Sequence, residues 1–198
     1  MKKQYNSHHK WLQKFPFKKK KSHKYSRGQL IVVGGEKEMV GATILSAEAA
    51  LRTGVGSVKI ICNKETLPIY SLKFPSVLKK EINTFQEFKN FVIKNNNFPY
   101  LIGPGAGSNQ TTKKKTIFVL RKIKNVILDA DALTSFKKDL KTLYKLLDED
   151  KIITPHINEF RAIFPKSKQI NNSYLKLINA FQLVNCTIVL KGNTTYIA

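Results

Sequence analysis

The 198-residue chain is long enough to enclose a core, and its 42% hydrophobic content excludes wholesale disorder. Lys and Arg number 35 against 13 Asp and Glu, a formal charge of +22 that ordinarily points to a polyanionic partner, but the lysines are spread along the whole chain with abundant Asn and Ile, as a compositional bias acting on surface positions leaves them. The longest apolar stretches fall far short of a bilayer span, and Cys62 and Cys186 lie in apolar strand-like runs that suit buried free thiols, so a cytoplasmic protein engaging no membrane is expected.

Residues 1–24 are polar and basic without steady periodicity and read as an arm or linker ahead of a domain over residues 25–198. Their dense cluster is Lys18-Lys19-Lys20-Lys21, flanked by His8, His9, Lys10, His23 and Lys24. Such a run carries non-specific charge and no base readout, so no specific nucleic-acid partner is expected. From Gln29 onward, short β-rich runs alternate with longer helical patterns, the pattern of a largely parallel sheet covered by helices. The apolar runs predict strands near Gln29–Val33, Ser57–Cys62, Tyr100–Ile102, Asn125–Leu128, Ile152–Thr154 and Thr187–Leu190. Helical spacing predicts helices over Gly41–Arg52, Thr84–Asn95, Thr112–Lys122, Leu133–Leu147, Ile157–Phe164 and Ser173–Leu183. No internal repeat or linker divides the body.

Most Gly-rich and polar clusters directly follow a predicted strand, and in an open α/β sheet ligands bind beyond the carboxyl ends of the strands. Val33-Gly34-Gly35 through Met39-Val40-Gly41-Ala42 matches neither the dinucleotide fingerprint nor a P-loop; a tight strand-to-helix turn and a ligand site both fit it. Gly103-Pro104-Gly105-Ala106-Gly107 packs three glycines into a rigid loop suited to phosphate or sugar oxygens. In Leu128-Asp129-Ala130-Asp131, two carboxylates at the end of a strand suit a substrate hydroxyl or a hydrated Mg²⁺, though Asp131 equally suits the cap of the next helix. His156, after Thr154-Pro155, suits presentation of a ring to a pocket, while Glu159 suits the dipole of the helix that follows. Finally, Lys191-Gly192-Asn193-Thr194-Thr195 brings a point charge and hydroxyls suited to a nucleotide phosphate.

Taken in order, Ser22-His23-Lys24-Tyr25-Ser26-Arg27-Gly28, Gly34-Gly35 through Gly41-Ala42, Gly103-Pro104-Gly105-Ala106-Gly107, Asp129-Ala130-Asp131-Ala132-Leu133, Thr154-Pro155-His156 and Leu190-Lys191-Gly192 resemble the NAD(P)H-hydrate dehydratases. The resemblance runs from about His23 to the last residue. It implies a ribokinase-like three-layer α/β/α fold with a largely parallel sheet, incomplete at its C-terminal end. It also implies a hydro-lyase that uses ADP or ATP, with Mg²⁺, to dehydrate the S epimer of hydrated NADH or NADPH (NADHX, NADPHX). By the same resemblance Ala42, Gly105 and His156 contact the hydrated dinucleotide, and Lys191, Gly192, Asn193, Thr194 and Thr195 contact the adenine nucleotide. Asp129 and Asp131 are candidates for substrate or hydrated Mg²⁺, with no direct metal ligand. A homo-oligomer, tetrameric as in the family, and a fused or separate NAD(P)H-hydrate epimerase are the implied partners.

The chain departs from the family in two places. His156-Ile157-Asn158-Glu159 stands where the family has His-Pro-Gly-Glu, and the family's Gly-x-Gly-Asp, which supplies an anion hole and a general-base Asp, falls beyond Ala198. A small-molecule kinase of hydroxyethylthiazole-kinase type shares the fold and the nucleotide site, but lacks a reason for His23–Gly28 and Thr154-Pro155-His156. A basic nucleic-acid-binding module would leave the Gly-rich loops unexplained. The 198-residue polypeptide, without the Gly-x-Gly-Asp segment, is therefore expected to be inactive. Following the disappearance of hydrated NADH with ADP and Mg²⁺ tests this, and robust turnover by residues 1–198 refutes it.

Overall fold

The computed structural model describes Gln13, residues 22–24 and residues 26–198; most of the predicted arm over 1–24, and Tyr25, lie outside the described residues. The described chain builds an eight-stranded sheet in the order β3-β2-β1-β4-β5-β6-β7-β8. The strands are β1 Gln29–Val33, β2 Ser57–Cys62, β3 Leu78–Glu81, β4 Tyr100–Ile102, β5 Val126–Leu128, β6 Lys151–Ile153, β7 Thr187–Leu190 and β8 Tyr196–Ile197. All neighbours are parallel except β7 and β8, which form a hairpin. The helices are α1 Val40–Arg52, α2 Leu67–Lys73, α3 Phe85–Lys94, α4 Gln110–Lys122, α5 Asp131–Thr134, α6 Leu140–Leu146, α7 Ile157–Ile163 and α8 Ser173–Phe181.

Apolar residues at consecutive strand positions pack on opposite faces of the sheet. On β1, Ile31 and Val33 join a cluster with Phe88 of α3 and Val119 of α4, whereas Val32 joins Ala47 of α1 and Tyr70 of α2. Both faces are thus covered, which explains the near-continuous apolar runs. Each strand also ends level with its neighbour. Val33 pairs with Ile61 and Ile102, Ile102 with Leu128, Leu128 with Ile153, and Ile153 with Ile188. Parallel direction and matched ends together send the trailing loops to one rim.

The expected strands are found, with boundaries shifted by a residue or so at β5 and β6. The short edge strands β3 and β8 and helix α2 were not expected; Leu78-Lys79-Lys80-Glu81 offers too little apolar content to stand out. The single helix expected over Leu133–Leu147 is instead two, α5 and α6. Asp139 N-caps α6, its Oδ1 accepting from Thr142 N at 3.4 Å, while its Oδ2 takes Lys113 Nζ of α4 at 2.7 Å. The cap breaks a pattern that reads as continuous by periodicity alone.

Gly103, at the end of β4, is a position where only glycine fits. Its φ is +123°, and a Cβ there would lie 1.8 Å from the Asp129 carbonyl oxygen. Gly103→Ala is expected to cost about 3 kcal/mol through strain and overpacking, a fall in Tm of roughly 6–12 °C for a chain of this size, measured by thermal unfolding.

The Lys113 hydrogen bond, then the Thr142 hydroxyl, holds the Asp139 carboxyl below the ordinary aspartate value. A lowered folded-state value means that the contribution is complete above the unfolded-state value near 4 and fades as pH falls through the folded-state one. Asp139→Asn keeps a competent cap and removes the charge. Its urea midpoint should lie below wild type at pH 7, and the difference should vanish toward pH 2.

Candidate functional site

Asp129 follows β5 directly, and its Oδ1 accepts from Thr154 Oγ1 after β6 at 2.8 Å and from Lys191 Nζ after β7 at 2.7 Å. One carboxylate therefore joins the ends of three adjacent strands. Lys191 N also donates to Pro155 O at 2.9 Å, and His156 and Lys191 form an isolated parallel bridge. The side chains of Lys191 and Asp129 are 42% and 25% exposed, so water screens the pair and its contribution to stability is at most about 1 kcal/mol. Its role is positional.

His156 is the N-cap of α7. Its Nδ1 accepts from Asn158 N at 3.1 Å and Glu159 N at 3.4 Å, while His156 N donates to Glu159 Oε2 at 2.8 Å. This is a capping box, with a ring nitrogen in place of the usual hydroxyl. An accepting Nδ1 places the proton on Nε2, which lies 3.1 Å from Glu159 Oε1. The substitution of Ile157-Asn158 for Pro-Gly leaves the box intact, because a box needs only the cap and third helical positions.

Asp131 is the first residue of α5 and not its cap, which is Ala130. The Asp131 Oδ2 reaches across to accept Gly107 N–H at 3.0 Å. Between the two carboxylates, Ala130 adopts φ 48°, a conformation an L-residue holds only when its surroundings impose it. Here Asp129 N donates to Ile102 O, and Ala132 N to Asp129 O, both at 3.1 Å.

Ala42 and Gly105 form a second group, at the point between β1 and β4 where the strand order reverses. Glu36 N donates to Gly105 O at 2.7 Å and Gly35 N to Pro104 O at 3.0 Å, so the two Gly-rich loops are laced together. Gly105 has φ +64°, and a Cβ there would lie 2.4 Å from Met39 O and 3.3 Å from Ala42 Cβ. Beyond it, at the ends of β1, β2 and β4, an open cleft lies between Gly35, Glu36, Ala106 and Lys115.

Asp129, His156 and Lys191 are thus brought together, and Ala42 lies beside Gly105. Asp131, through Gly107, and Gly103, against Asp129, join the two groups. Gly192, Asn193, Thr194 and Thr195 form the exposed turn between β7 and β8, and among the described residues no side-chain hydrogen bond joins Asn193, Thr194 or Thr195 to the cluster. Thr154 was not singled out from sequence as a site residue, although a threonine ending a strand before Pro155 is a signal for it. The segment around His23–Gly28 precedes β1 and so lies at the opposite end of the strands; Arg27 Nη1 donates there to Gly54 O at 3.4 Å.

Cys62 and Cys186 are buried free thiols, and burial pushes them up to about 11 and about 12, which suits packing and not nucleophilic attack. Among the described residues no cluster of three or more His, Cys, Asp or Glu is arranged to hold a metal, and no helix is long and apolar enough to cross a membrane.

A sequence model of the NAD(P)H-hydrate dehydratase family matches residues 30–198. The chain is 33% identical over 159 residues to the bifunctional NAD(P)H-hydrate repair enzyme Nnr of Dictyoglomus turgidum, covering 73% of this chain and 30% of that protein. It is 28% identical over 188 residues to the ADP-dependent (S)-NAD(P)H-hydrate dehydratase of Staphylococcus aureus, covering 92% and 65%. Its fold matches the ADP/ATP-dependent NAD(P)H-hydrate dehydratase of Bacillus subtilis, co-crystallised with ATP and Mg²⁺, with a TM-score of 0.69 at 26% identity, covering 92% and 64%. A ribokinase-like superfamily protein of Enterococcus faecalis shares the fold, with a TM-score of 0.77 at 24% identity, covering 91% of this chain and 63% of that one. The chain thus spans from 30% to 65% of the length of these two curated relatives. On the family match across residues 30–198 and the shared fold, the chain belongs to the NAD(P)H-hydrate dehydratase family.

Proposed function

We propose that this chain carries the nucleotide-binding rim of an ADP- or ATP-dependent dehydratase acting on the S epimer of NADHX or NADPHX. The observation that carries the reading is the meeting of Thr154, Lys191 and Asp129 at the ends of three parallel strands, with His156 bridged to Lys191. Lys191 supplies a positive charge suited to a nucleotide phosphate, and the exposed turn Gly192–Thr195 offers backbone and hydroxyl groups beside it. Asp129 holds that ammonium in place and retains a second oxygen for a substrate hydroxyl. Asp131 acts indirectly, by tethering the loop that carries Gly105. Ala42 packs against Gly105, whose missing side chain lets the two loops that would border the hydrated dinucleotide come together.

The chemistry follows from the hydroxyl on the hydrated nicotinamide ring. Hydroxide is a poor leaving group; phosphoryl transfer from the nucleotide makes it a phosphate ester, and loss of phosphate with a ring proton restores the double bond. Positioning two nucleotides side by side contributes most to such a transfer. Mg²⁺ enters with the nucleotide phosphates, and Asp129, already engaged by two donors, suits contact through a bound water. The Lys191 ammonium would neutralise charge on the transferred group, and the Asp129 carboxylate would orient it.

The wider reading takes residues 25–198 as the catalytic-domain portion and 1–24 as an arm, in a cytoplasmic enzyme. The bifunctional relatives support an epimerase as a fused or separate partner. The family resemblance supports a homo-oligomer, with a tetramer as the proposed state.

Lys191→Met removes the charge from a side chain that is 42% exposed, so the fold should tolerate it. Its affinity for ADP should fall about 10- to 100-fold, the range of one charge-assisted hydrogen bond, read as a smaller ligand-induced rise in Tm. Equal stabilisation of variant and wild type by ADP would remove the nucleotide role of Lys191. Stabilisation of wild type by neither ADP nor NADPHX would remove the dehydratase reading.

A further inference from the structure

The cleft at the ends of β1, β2 and β4 has a floor of Val33, Ile61 and Ile102 and a wall formed by Lys115 of α4. A few polar groups over an apolar floor are the usual make-up of a small-molecule site. Lys115 is half-buried, with Nζ 5.6 Å from the centre of the Phe88 ring. Among the described residues it enters no ion pair, whereas Lys113, two residues earlier on α4, and Lys151 on β6 are both matched with carboxylates. Burial lowers the Lys115 ammonium from the ordinary lysine value, with the Glu36 carboxylate partly opposing this. A cation desolvated without a counter-ion favours an incoming anion.

The order of the strands shows which anion. Along the rim come Lys191 after β7, His156 after β6, Asp129 after β5, Gly105 after β4, and then the cleft at β1 and β2. At about 4.8 Å per strand, β7 and β1 stand roughly 19 Å apart. On the reading proposed above, the adenine nucleotide sits at β7 and the hydrated ring next to it at β5 and β6. The pyrophosphate of the dinucleotide then passes the Gly105 loop, and its second nucleotide reaches the cleft. Glu36 donates its N–H to Gly105 O and also lines the cleft, so loop and cleft are continuous.

We propose that this cleft seats the adenosine end of the hydrated dinucleotide and that Lys115 pairs with a phosphate on its 2′ position, making Lys115 the residue that favours NADPHX over NADHX. Glu36, exposed at the mouth, is placed to accept from sugar hydroxyls; water screens its repulsion of the phosphate more than it screens the half-buried ammonium.

The test uses adenosine 2′,5′-bisphosphate and 5′-AMP, titrated calorimetrically into the 198-residue chain. The bisphosphate should bind about tenfold more tightly to wild type, the value of one charge-assisted contact. Lys115→Met should erase the difference, Lys115→Arg should keep most of it, and Lys191→Met should leave it unchanged. A cooperative thermal unfolding transition in Lys115→Met shows that the variant is folded, and Lys115→Gln serves if it is not. Equal binding of the two probes to wild type, a preference that survives in folded Lys115→Met or Lys115→Gln, or one lost only in Lys191→Met would each overturn the assignment. A Lys115-dependent preference in a protein that binds neither ADP nor NADPHX would support the phosphate site while removing the dehydratase reading.

Discussion

Asp129 is placed where a carboxylate can be kept only by its neighbours. It follows a buried strand, three-quarters of its side chain is withdrawn from water, and its Oδ1 takes both the Thr154 hydroxyl and the Lys191 ammonium. A partly desolvated carboxylate left alone would be costly, whereas one with two donors is satisfied, and satisfying it draws the ends of β6 and β7 toward the end of β5. The energy of the Lys191 contact is small because that side chain is half-exposed. What the interaction supplies is geometry: an ammonium held at one point on the rim, beside the turn proposed to receive a nucleotide.

The same constraint reaches the other half of the rim through backbone. Asp129 bonds to Ile102, the last residue of β4, and its carbonyl sits where any side chain on Gly103 would have to go. Asp131, turned by the strained Ala130, holds the far end of the same glycine loop through Gly107. The loop is therefore pinned at both ends by the segment carrying the two carboxylates. In consequence, the Ala42–Gly105 group and the Asp129–His156–Lys191 group keep a fixed relation although, among the described residues, no side-chain hydrogen bond runs directly from one group to the other. Such pre-set spacing is what a transfer between two bound nucleotides requires.

The excess of lysine acquires a different meaning in three dimensions. Among the described residues most of these side chains are exposed and carry non-specific charge. A few are drawn inward and matched: Lys151 by Asp148 and by the carbonyl of Lys124, and Lys113 by Asp139. Lys115 is drawn inward onto Phe88 without an ion pair among the described residues, in a cleft that it shares with the exposed Glu36 and that is contiguous with the glycine loops. The distinction lies in desolvation and partners, neither of which composition reports.

The sequence by itself determined the class of fold, because β-rich runs alternating with helical patterns permit little other than a parallel sheet with covered faces, and runs such as Gln29–Val33 were long and apolar enough to locate. Its spaced motifs also pointed to the family and to Ala42, Gly105, His156 and Lys191 as members of one site, since a motif trailing a strand in such a sheet has only one edge to occupy. Contacts between residues far apart in the chain were decided by the tertiary structure. Whether Asp131 caps its helix or ties down Gly107, whether His156 closes a capping box with Glu159, and which inward lysines find a carboxylate depend on what the fold brings within hydrogen-bonding distance. Local periodicity carries no record of those distances. Even the split of α5 from α6 turns on Asp139, whose capping role is paired with an ammonium from a helix more than twenty residues earlier.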